Sequence, residues 1–278
     1  DNIGGIPTVM GLAGEDRARY SFSSSANPVE TVLPRVCESD ALIEILELYS
    51  LDRHQQWNLD RPDETTRFYG VIDDFVRKLH GKCREKRVAL MIVSDHGHEP
   101  IRASIDIRSK LRELELGDGD ISYFIEVSSA RFWPHTNRAR KRITEWLSTL
   151  DNGKLLRFDE MADYNVPQAD DRYGELFFYL DPGYIFFPHD FHHPLARLFL
   201  GLTDAMQRSR LRDPRHKGNH GHLHHFEAER SLMLLAEPDF EAQASQAHIF
   251  DVAPSMLSLI GIDAPATMSG RSIFRHRA

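Results

Sequence analysis

The residues of this chain whose types and spacing could do chemistry fall at three points: Asp52 with His54, Asp95 with His96, and His220. A carboxylate offers a hard oxygen and an imidazole a nitrogen, the donors that divalent metals of the zinc class take up. Histidine is unevenly spread, with eight of the 15 between His189 and His225, a concentration that raises metal binding ahead of chance. Plainer readings stand beside this one. A histidine bonded to a neighbouring carboxylate is also a common core arrangement, and the basic run Arg208, Arg210, Arg212, Arg215 and Lys217 reads as a solvated face.

Such residues need elements to hold them. Residues 88–93 are six apolar residues, half of them β-branched, running into Ser94, Asp95, His96 and Gly97, which reads as a buried parallel strand ending in a polar turn. Ligands of open α/β sheets sit at the carboxyl ends of strands, so Asp95 and His96 fall where such a sheet keeps its chemistry. Residues 45–51 read as an earlier strand that delivers Asp52 and His54 to its own carboxyl end. Between the two, Pro62 opens a helix in which Phe68, Val71, Ile72, Phe75 and Leu79 recur at three- and four-residue steps, and Gly81 closes it. Strand, helix and strand in that order predict a right-handed βαβ unit with parallel strands and both carboxylates at one sheet edge. His220, held between Gly218-Asn219 and Gly221 and followed by an apolar run at 231–236, is placed by a tight loop over the same edge.

The rest of the chain reads as support. Residues 105–116 and 137–150 read as helices, the second burying Trp146, and residues 121–127 as a strand. Residues 175–180 and 184–187 read as a hairpin joined by Asp181-Pro182-Gly183, and 251–261 as a short helix with Asp251 at its start and Gly261 just beyond its end. The segment 101–214 reads as an insertion packed over the sheet, with Arg131-Phe132-Trp133 structural. Residues 1–39, broken by Gly4-Gly5, Pro7, Pro28 and Pro34, read as loop.

Composition narrows the class. A chain of 278 residues can bury a sizeable core, and one domain is expected. Hydrophobic residues at 41% and charged residues at 27% suit a folded globular protein and exclude a disordered one. A net charge of −8 excludes a nucleic-acid duplex held by bulk electrostatics. Cys37 and Cys83 are too few for a disulfide framework and lack CxxC spacing. No apolar run approaches the roughly 20 residues that span a bilayer, and the compartment stays open.

Taken together and in this order, Ser94-Asp95-His96-Gly97, Gly218-Asn219-His220-Gly221 and Asp251-Val-Ala-Pro-Ser-Met-Leu-Ser-Leu-Ile-Gly261 resemble the alkaline phosphatase superfamily. Within it the likeness is to the type I phosphodiesterase and nucleotide pyrophosphatase branch, which Arg131-Phe132-Trp133 and Tyr173-Gly174-Glu175 also look like. The resemblance implies an α/β sandwich with a mostly parallel central sheet, helices on both faces and an α+β insertion, the core lying at about 40–100 and 215–273. It implies two divalent metal ions, usually zinc, about 4 Å apart. Asp95 and His96 match the ligands of one, and Asp52 and His220 match those of the other. The implied activity is hydrolysis of a small-molecule phosphate ester through a covalent phospho-enzyme, with arginines near Arg215 supplementing phosphate binding.

Two departures qualify what the resemblance implies. The family's early motif places a histidine four residues after its aspartate, whereas Gln56 stands there in this chain and the nearby imidazole is His54. One metal site is therefore weakened or rebuilt. The family's Thr or Ser nucleophile, with a further Asp ligand, belongs to an N-terminal region without a counterpart here, and Thr8 after Pro7 stands too near Asp52 to serve. The chain thus looks like the C-terminal portion of such an enzyme, expected to be inactive alone. The Gln56 departure keeps open a non-catalytic metal-binding relative, and a phosphomutase of the same superfamily is a further alternative.

Overall fold

The helix Pro62–Lys86 shows how the apolar pattern becomes structure. Proline at its first turn needs no backbone partner, Asp63 and Glu64 complement the positive end of the helix dipole, and Arg84 and Lys86 the negative end. Phe75 and Leu79 are buried on one face against Leu33, Leu46, Leu48, Val76, Cys83 and Leu90. The opposite face is exposed and carries ion pairs one turn apart, Asp73 with Arg77 and Asp74 with Lys78, each at 2.8 Å. The helix does not stop at Gly81. Cys83 continues the Phe75 and Leu79 stripe, and the chain turns only at Arg87, whose φ of 58° is left-handed.

The computed structural model describes residues 9–12, 33–38, 41–117, 119–164, 170–190 and 216–277. Thr8 and Arg208, Arg210, Arg212 and Arg215 lie outside them. The chain divides into two compact units, the first made of Asp1–Gln55, Arg61–Asp95 and Ser231–Ala278, the second of Gln56–Asp60 and His96–Arg230.

In the first unit, Val9–Leu12 pairs antiparallel with Ile43–Leu46, Leu90–Val93 with Met233–Ala236, and Phe240–Ala242 with Phe274–His276. Met233 and Leu235 pack with Met91 and Leu259 on the cluster of Phe240, Ile273 and Phe274, while Leu234 between them is half exposed, the alternation a one-sided strand requires. Two expectations change here. The strand read at 45–51 is Ile43–Leu46, and the chain then enters the helix Tyr49–Asn58, so Asp52 and His54 are helical rather than at a strand end. Leu90–Val93 has Met233–Ala236 as its described partner, not Ile43–Leu46, so the parallel βαβ pairing is absent among the described residues. Just beyond that ladder's end, Ser94 N–H donates to the Leu232 carbonyl at 2.9 Å.

Asp251 anchors the closing helix Val252–Leu259. Its buried carboxylate accepts the backbone N–H groups of His248 at 2.8 Å and Arg271 at 2.9 Å. Burial pushes the carboxyl up, but these two donors outweigh it and hold the group below the usual carboxylate range.

The second unit is built on an antiparallel sheet in the order Ile121–Ile125, Ser129–Pro134, Leu176–Leu180, Gly153–Arg157. Leu176–Leu180 is apolar throughout because both of its faces are covered. Phe178 and Leu180 pack with Ile107, Leu111, Ile143 and Leu147 of the helices Ile107–Glu113 and Asn137–Leu147. Phe177 and Tyr179, one residue out of phase, pack with Leu156, Met161, Leu223 and Phe226. Both helices are capped, by Asp106 accepting from Ser109 N–H and Thr136 accepting from Ala139 N–H. Trp146 is partly buried against the first of these clusters. Trp133 donates its indole N–H to the Asp171 carbonyl at 2.7 Å, and Arg131 pairs with Glu126.

The hairpin expected at 175–187 does not form. Both edges of Leu176–Leu180 are already taken by its sheet neighbours, so after the turn at Gly183, with φ 96°, Tyr184–Phe186 leaves the sheet and pairs parallel with Ala103–Ile105. That is the one parallel pairing among the described residues.

Candidate metal centre

Three imidazoles meet in the second unit, and backbone register explains why. Gly218–Asn219 pairs antiparallel with Glu99–Pro100, Gly218 opposite Pro100 and Asn219 opposite Glu99. One step further along that register sets His220 opposite His98, whose ring centroids are 5.0 Å apart with planes at 70°. His96 lies two residues before His98 and therefore on the same face of an extended segment. Its ring stacks on His220 at 3.6 Å and 10°, and stands at 5.4 Å and 63° from His98. The donor atoms of His96, His98 and His220 lie within 4.8 Å of one another.

The loops that carry these rings are tightly held. A Cβ on Gly97 would meet the Ala228 carbonyl oxygen at 2.8 Å, and the Gly97 N–H donates to that same oxygen at 2.9 Å. Only a residue without a side chain lets the two backbones approach so closely. Gly221 turns with φ 87°, and its carbonyl accepts the Ser128 hydroxyl at 2.6 Å. His222 is buried, its Nδ1 donating to the Leu180 carbonyl at 2.9 Å and its backbone N–H to Glu229 at 2.8 Å. Leu223 then seats the loop in the cluster around Phe177.

The imidazole chemistry suits a metal. His96 Nδ1 lies 2.9 Å from the Gly97 carbonyl, and a carbonyl can only accept, so Nδ1 carries the proton and Nε2 keeps its lone pair. A hydrogen bond of this kind fixes ring and tautomer as metal-ligating histidines require. The site residues read from the sequence are distributed as follows. His96 and His220 are brought together, as described. Asp95 is exposed at the end of Leu90–Val93, its carbonyl accepting the Ser231 hydroxyl at 2.6 Å. Asp52 lies in the first turn of Tyr49–Asn58 in the first unit, with Gln56 one turn later. The Gln56 carbonyl accepts the Lys217 N–H at 2.6 Å. His54 stacks on Phe68 at 4.2 Å and 9°, and burial holds its imidazole below the usual value, the Glu64 charge opposing this. His98 was not singled out from the sequence, although its spacing of two from His96 in an extended stretch was the signal that placed it on the same face.

No protein-family model matches the sequence, and no curated protein matches it. Solved structures do. Murine ectonucleotide pyrophosphatase/phosphodiesterase 5 superposes with a TM-score of 0.54 at 16% identity, over 78% of this chain and 54% of that one. The human protein of the same name gives 0.55 at 17%, with the same coverage. The chain has an alkaline phosphatase-like fold. It spans about half the length of these two proteins, 54% of each.

Proposed function

We propose that this chain forms the metal-binding part of a divalent-metal-dependent hydrolase of phosphate esters, of the phosphodiesterase and nucleotide pyrophosphatase kind. The observation that carries the proposal is the imidazole cluster of His96, His98 and His220, with donor atoms within 4.8 Å of one another. Neutral imidazole is a donor for the zinc class, and with Nδ1 donating to the Gly97 carbonyl the lone pair of a neutral His96 is on Nε2, so the residues fit such an ion.

Ring geometry supports two ions rather than one. With a Zn–N bond of about 2.1 Å, an imidazole centroid stands about 3.2 Å from its ion. Two centroids 3.6 Å apart would then subtend only about 70° at a shared ion, far below the tetrahedral angle. Parallel rings also send their in-plane lone pairs along planes that do not cross nearby. His96 and His220 therefore serve separate ions. Divalent ions so held would supply Lewis-acid stabilisation of phosphoryl charge and a hydroxyl of lowered pKa. The chain's own part is to hold the donors: Gly97 and Gly221 permit the close turns, and the His96 Nδ1–H bond sets the ligating nitrogen. The phospho-enzyme route requires a Thr or Ser nucleophile, for which no described residue of the cluster qualifies.

Hydrolysis of bis-p-nitrophenyl phosphate by the full-length natural protein tests the proposal. Activity should be lost with a chelator, restored by zinc, and abolished by His96→Ala and His220→Ala. Activity indifferent to both substitutions would overturn it. Gln56, an amide where the family has an imidazole, favours the second reading of a non-catalytic relative, which predicts zinc binding without turnover.

A further inference from the structure

We infer that His98 is a metal ligand that shares an ion with His220, supplying from the Glu99–Pro100 segment the imidazole that Gln56 cannot. The inference rests on the proposed metal site, and geometry separates His98 from the other rings. In-plane lone pairs converge where ring planes cross, and the planes of His98 and His220 cross at 70°. Their centroids, 5.0 Å apart, would subtend about 100° at an ion bound to both, close to the tetrahedral value. The backbone ladder supports the same pairing, since His98 and His220 each stand one residue beyond the Asn219–Glu99 pair that ends the register. His54 is the alternative replacement for the missing imidazole, its ring stacked face to face on Phe68 at 4.2 Å. A site with two imidazoles selects a late first-row divalent ion over magnesium or calcium, which prefer oxygen.

The test is zinc stoichiometry of the 278-residue chain by elemental analysis, with the absorption of the cobalt-substituted protein as a second readout. The wild type should hold two ions. His98→Ala and His96→Ala should each hold one, His96→Ala/His98→Ala none, and His220→Ala/His98→Ala one. His98→Gln, closer in shape, should show the same loss with an unchanged far-UV spectrum, which separates ligation from folding. Two ions in His98→Ala, or one in His96→Ala/His98→Ala together with none in His220→Ala/His98→Ala, would overturn the assignment while leaving the proposed function standing. A wild type that binds no zinc would overturn both.

Discussion

Replacing Gly97 with alanine should loosen the second unit and its imidazole cluster together. The added methyl carbon would start 2.8 Å from the Ala228 carbonyl oxygen, a backbone atom that cannot rotate away. Reaching ordinary contact at 3.4 Å means that the two backbones part by about 0.6 Å, which stretches the 2.9 Å bond from Gly97 N–H to the same oxygen. Loss of that bond costs about 0.5–1.5 kcal/mol and the overpacking about 1–3 kcal/mol, so a destabilisation of about 2–4 kcal/mol is expected. The displacement falls between His96 and His98, so zinc affinity should fall as well. Urea unfolding gives the first quantity and zinc competition titration the second. A change below about 0.5 kcal/mol with unaltered zinc affinity would refute the close-approach argument.

Three further outcomes are expected. Phe75→Ala should cost about 3–5 kcal/mol in urea unfolding, because the ring is 1% exposed on the inner face of Pro62–Lys86. Asp251→Asn should cost about 1–3 kcal/mol at neutral pH by weakening an acceptor of two backbone donors. Since the folded carboxyl titrates below its unfolded value of about 3.9, that advantage should be full above this pH and disappear as pH falls through the lower folded value. His54→Ala should leave zinc content unchanged, because His98 supplies the second imidazole.

Much of the framework was legible because several signals agreed. Proline, acidic first turn and a 3.6-residue stripe marked Pro62–Lys86, and Asp251 with Gly261 bracketed Val252–Leu259. The misread places are those where one local signal competed with packing. Residues 45–51 form a short apolar run that suits strand or helix, and the break at Glu47-Leu48 gave the second part to Tyr49–Asn58. Gly81 resembled a helix end, but Cys83 had a buried stripe to join. Asp181-Pro182-Gly183 made a turn, yet whether Tyr184–Phe186 folds back depends on which strands already flank Leu176–Leu180, a tertiary fact. At the site, the motifs led to His96 and His220. His98 became visible only when the register of Gly218–Asn219 with Glu99–Pro100 set it opposite His220.

The central claim, that His96 and His220 belong to a metal centre, is tested most directly by calorimetric zinc titration of the metal-free 278-residue chain beside its His220→Ala variant. The account predicts tight uptake of two ions by the wild type and loss of one by the variant, with the fold retained in both. Equal uptake by the two proteins, or none by either, would contradict it.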